Sequence, residues 1–129
     1  MPSARLPLPV ATWLAVLALS AWAGHAHAQC TNNNTFIGGA ALTPNCPGEV
    51  TVPCITGGQY ALVNVTSGNN YTFSTCGAAW DTQITIFNNA GGGSLGFNDD
   101  GAPCGTLSLQ SYLAWTATFT GQLRVLLDV

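Results

Sequence analysis

Apolar and polar residues alternate along most of this chain beyond residue 57. Residues 59–65 (QYALVNV) are apolar and rich in strand formers, and Ser67-Gly68-Asn69-Asn70 turns the chain. Residues 71–76 (YTFSTC) then place Tyr71, Phe73 and Thr75 on one face and Thr72, Ser74 and Cys76 on the other. Two further runs, 82–87 and 94–98, flank an Asn/Gly-rich turn and predict a hairpin. From 106 to 120 one parity collects Leu107, Leu109, Leu113, Trp115, Ala117 and Phe119, with a break near Ser111 or Tyr112. Leu123, Val125 and Leu127 extend that parity toward the end. Apolar residues spaced by three and four, the mark of a helix, are not found beyond residue 28. Strands at roughly ten-residue intervals with Gly/Asn turns predict an all-β, antiparallel sandwich of six to eight short strands.

The first 28 residues follow a different pattern. Arg5 precedes an apolar run, and Ala26-His27-Ala28 fits a small-x-small cleavage site. These are the regions of a secretory signal peptide, and the run is shorter than the roughly 20 residues of a bilayer span. Cleavage after Ala28 leaves 29–129, enough for one domain with a core. Residues 29–56 read as a Cys/Pro-rich N-terminal loop with one or two short edge strands, in which Phe36, Ile37, Leu42, Val50 and Val52 can pack. Residues 57–129 read as the sandwich, with a final strand expected beyond Val129.

Charge narrows the function. Cleavage removes Arg5, His25 and His27, so Arg124 faces Glu49, Asp81, Asp99, Asp100 and Asp128 as the sole cation. A nucleic-acid surface needs clustered Lys and Arg, which are lacking. Ser–His and Cys–His nucleophilic chemistry lacks its base, and zinc sites with imidazole ligands are excluded. The chain is therefore read as non-enzymatic, without a nucleic-acid partner and, after cleavage, without a membrane span.

Five cysteines, Cys30, Cys46, Cys54, Cys76 and Cys104, follow the signal. In an oxidising compartment they predict disulfides. The hairpin brings Cys76 near Cys104, so these two are expected to pair. Cys30–Cys54 and Cys46–Cys54 both remain open, and the odd count leaves one cysteine over. Three Asn-x-Thr sequences, at Asn33, Asn64 and Asn70, match glycosylation acceptors but arise readily by chance in Asn/Thr-rich strands.

The same hairpin brings Asp81 beside Asp99 and Asp100. Like charges at close range cost stability unless a cation lies among them. All-oxygen ligands suit a hard ion, so Asp81, Asn98, Asp99 and Asp100 are candidate Ca²⁺ ligands. The competing reading makes Asp99-Asp100-Gly101 an Asx-type turn and Asp81 a cap on its own loop. A glycosidase pair is disfavoured, because adjacent Asp99 and Asp100 point to opposite faces when extended. Trp80, just before Asp81, is a candidate for stacking on a sugar or peptide; the commoner role is to plug the end of a sandwich.

The order GQYALVNV, YTFSTCG, WDTQITIFN, FNDDGAPCG and GQLRVLLDV resembles the bacterial pre-peptidase C-terminal domain, in a Cys-containing secreted variant. The resemblance covers 57–129 and is most specific at 71–77, 80–82 and 98–105. It implies a jelly-roll-like β-sandwich without catalytic activity. Such modules accompany exported proteases and other enzymes, and some bind calcium. The expected function is that of a secreted accessory module binding a polymer or cell surface, or supporting an exported partner. A self-associating subunit of a surface fibre, and the N-terminal part of a longer secreted enzyme, are the alternatives.

Overall fold

The computed structural model describes residues 34–105 and 109–129. The segment expected to be a signal peptide, Cys30, Asn33 and Leu107 lie outside the described residues. Seven strands are found among the described residues: β1 (Thr35–Phe36), β2 (Gln59–Val65), β3 (Asn70–Ser74), β4 (Gln83–Asn88), β5 (Ser94–Asn98), β6 (Tyr112–Thr116) and β7 (Gly121–Asp128). The only helix described is one 3₁₀ turn, Ala102–Cys104. The protein is all-β, as its alternating pattern predicts.

Five strands form one sheet in the order β1-β2-β7-β4-β5, and β3 and β6 form a second. All pairings are antiparallel except β1 with β2. The chain therefore passes between the sheets at each of the 65–70, 74–83, 98–112 and 116–121 connections. One face of β2, β4 and β7 and one face of β3 and β6 supply the core between the sheets. Val63 and Val65 of β2, Ile84 and Ile86 of β4, and Leu123 and Leu127 of β7 are at most 5 % exposed. Tyr71, Phe73, Leu113, Trp115 and Phe119 pack against them, chiefly from the two-stranded side. Trp115 contacts the rings of Tyr71 and Phe119 at 6.4 and 6.0 Å between centroids.

The predicted hairpin is present, with Ile84 opposite Asn98 and a bulge beside Phe87. Three expectations need correction. Among the described residues of the long run after 106, the strand is β6, which begins after Ser111, and Leu109 is 53 % exposed rather than in the core. In the N-terminal loop Leu42 bridges to Val63 and packs, whereas Phe36, Ile37 and Val50 remain exposed. Cys46 and Cys54 are free and exposed, so a Cys46–Cys54 bond is not formed; they occupy separate turns.

Candidate functional site

The end of the β4–β5 hairpin is organised by Ser111. This residue is fully buried. Its hydroxyl lies within hydrogen-bond reach of the carbonyls of Thr82, Asn98 (2.9 Å) and Asp99 (2.8 Å). A hydroxyl carries one proton, so the three carbonyls compete for it. Its backbone N–H donates to the hydroxyls of Thr75 (2.9 Å) and Thr82 (3.0 Å), which also bond each other. Residues 109–112 thus tie the entry to β4 to the exit from β5. Thr82 N–H donates to Leu109 O at 2.9 Å, and Gly101 N–H donates to Gln110 O at 2.7 Å. Gln110 Nε2 reaches Ala78 O at 3.0 Å.

Cys76 and Cys104 form the expected disulfide, with Cα atoms 4.9 Å apart. On this corner Asp81, Asp99 and Asp100 converge, each with a carboxylate oxygen within 4.8 Å of the others. Asp81 and Asp100 are exposed and Asp99 is half-buried. Gln83 Nε2 donates to Asp99 Oδ2 at 3.3 Å, while Gln83 Oε1 is buried with no hydrogen-bond partner. Asn98 lies at the same corner, but its Oδ1 accepts the Tyr112 N–H at 2.7 Å and so fixes the start of β6. Trp80, next to Asp81 in the chain, is 39 % exposed. Gly101, the third residue of the alternative Asx-type turn, is buried with φ −99° and donates its N–H to Gln110 O.

Arg124, the only cation among the described residues, lies elsewhere. Its guanidinium stands over the rings of Phe87 (4.8 Å) and Tyr60 (5.4 Å) on the outer face of the five-stranded sheet. Sequence reasoning treated Arg124 only as a charge count. The signal that could have located its neighbours is the outward parity of Tyr60 and Phe87 at matching strand positions.

Another carboxylate lies outside the cluster. Asp128, 4 % exposed at the end of β7, accepts the Gly58 N–H at 3.1 Å. Desolvation raises its carboxyl above the ordinary value, and the Gly58 bond only partly opposes this. The folded protein therefore holds this proton more tightly than the unfolded chain. The resulting stability is fully present below about pH 3.8 and is lost as pH rises through the raised value. Asp128→Asn keeps an acceptor for Gly58 and removes the buried charge. The variant should melt a degree or more above the parent at pH 7, with the gap closing by about pH 3.8. Melts across that range check this, and a less stable variant at pH 7 would show that the anion is favoured.

Comparison with curated proteins and with solved structures finds no match. Residues 50–129, which hold β2 to β7, the disulfide and all three clustered carboxylates, match the model of a family described as a domain of unknown function (DUF8695), and the chain belongs to that family.

Proposed function

We propose that this protein is an exported, non-catalytic accessory module of the pre-peptidase C-terminal type, which binds a polymer or cell surface and is stabilised by Ca²⁺ at the β4–β5 corner. The observation that carries the reading is the convergence of Asp81, Asp99 and Asp100 within 4.8 Å, with the only described cation held on the outer sheet face by two rings. Oxygen is in excess here. Beside the carboxylates lies the unpartnered Oε1 of Gln83, whose Nε2 donates to Asp99 Oδ2. A hard divalent ion with flexible coordination suits an all-oxygen donor set on a loop. Catalysis is disfavoured by the same chemistry: the buried Ser111 hydroxyl faces backbone carbonyls, and no described residue can act as its imidazole or amine base.

The test is a thermal melt of the purified protein in excess Ca²⁺ and in EDTA. An ion bound only by the folded state at about 100 times its dissociation constant stabilises by roughly 2.7 kcal/mol. That is on the order of 10–20 °C for a domain of this size. Asp99→Asn should abolish most of the shift. Equal melting in both solutions would remove calcium from the reading.

A further inference from the structure

We propose that the outer face of the five-stranded sheet binds a saccharide bearing a carboxylate, with Arg124 as its anchor. This deepens the polymer-binding part of the function above and does not involve the corner carboxylates. The inward residues of β2 and β7 enter the core, which leaves Tyr60, Leu62, Arg124 and Leu126 on the outward parity. Phe87 lies opposite Arg124 and Phe36 opposite Tyr60. The row Phe36–Tyr60–Arg124–Phe87 crosses four adjacent strands, and the Phe36 and Tyr60 rings stack at 5.5 Å with planes 30° apart. Leu126 is fully buried on this side although it is not part of the core between the sheets, so the row shields apolar surface.

Arg124 is held by ring contacts, and its buried Nε has no hydrogen-bond partner. The side chain is only half-buried. A guanidinium fixed between two rings is a pre-organised fork for a carboxylate, and the ring edges beside it are electropositive. The remaining charge is negative, which disfavours a densely charged polyanion and suits a polymer with sparse carboxylates. A peptide strand fits poorly. β2, β7 and β4 are each paired on both sides, so this face offers no free main-chain ladder. The half-buried apolar row, with Phe36 exposed at one end, instead suits the C–H face of a sugar ring set against the guanidinium.

The experiment is an NMR titration of the purified full-length protein in EDTA, with 3′-sialyllactose, which bears one carboxylate on three sugars, as probe and maltotetraose and acetate as controls. Arg5 and Arg124 are the only arginines, so two Nε–H resonances are expected, and Arg124→Lys identifies the second. 3′-Sialyllactose should move the Arg124 resonance saturably, and maltotetraose or matched acetate should not. Arg124→Gln should weaken binding by about tenfold or more and Arg124→Lys by less, as expected for losing a charge-assisted pair or only its fork. The wild-type resonance decides the matter even if Arg124→Gln fails to fold. A stationary resonance, or equal movement with acetate, would overturn the proposal. Binding of maltotetraose that is lost in Trp80→Ala would also overturn it, while leaving the accessory-module reading intact. A calcium-insensitive melt bears on the corner site alone.

Discussion

Replacing Cys76 and Cys104 together by Ser should lower stability by about 3.5 kcal/mol and the melting temperature by roughly 15–25 °C. The bond spans 28 positions and encloses β4, the glycine-rich turn and β5. Without it the unfolded chain regains the freedom of that loop, whose entropy the chain-closure relation puts at this size. A native-state effect adds to it. Cys76 follows β3 and Cys104 follows β5, so the bond fastens the two-stranded sheet to the far end of the hairpin that carries Asp99 and Asp100. The double variant should therefore lose part of its calcium response as well as its stability. It is a better probe than either single change, because the lone thiol a single change leaves could be oxidised by dissolved oxygen into a non-native disulfide with Cys46 or Cys54. Melts of the parent and the double variant measure the effect. A loss under about 1 kcal/mol would mean that the Ser111 network alone orders this corner.

The fold class and the carboxylate corner were legible because both follow from period-two patterning. Once 82–87 and 94–98 pair through a short turn, the residues just outside them must meet, which places Asp81 beside Asp99 and Asp100 and directs Cys76 toward Cys104. What alternation hides is burial on both faces. In β7 the inward Leu123 and Leu127 are buried as expected, yet the outward Leu126 is equally buried, under a row of side chains from three other strands. The adjacent Leu126-Leu127 pair was the available signal, since a one-sided strand does not place two leucines side by side. Ser111 was visible only as an interruption in a pattern. Its role depends on three carbonyls from two distant segments, and no local spacing encodes that. Leu109 shows the converse failure: it keeps the correct parity but precedes the strand, so parity does not take it inside.

Gly101 gives the second large effect and tests why a glycine is needed there. A glycine that ends a turn commonly serves positive φ, where Asn would substitute for it at little cost. The backbone is otherwise: φ is −99°, which any residue adopts. The constraint is space. A Cβ at Gly101 would lie 2.5 Å from both the backbone nitrogen and Cβ of Tyr112, and 3.0 Å from Gln110 O. Two of those atoms are backbone and the third is the root of a side chain, so none can swing away. Relief requires moving residues 99–101 off the start of β6. That strains the Gly101 N–H to Gln110 O bond and the contact of Ser111 with Asp99 O, and draws two of the three carboxylates away from Asp81. Gly101→Ala should cost about 3 kcal/mol, at the upper end for inserting one methyl into a packed site. Gly101→Asn should cost at least as much, whereas a turn requirement would make Asn the milder change. Gly93→Ala, in open space in the hairpin turn, should stay within about 0.5 kcal/mol of the parent. Melts of the three variants, each with Ca²⁺ and with EDTA, separate these cases. Gly101→Ala should lose the calcium shift that Gly93→Ala retains, and a Gly101→Ala protein melting with the parent would show that the corner has room to give.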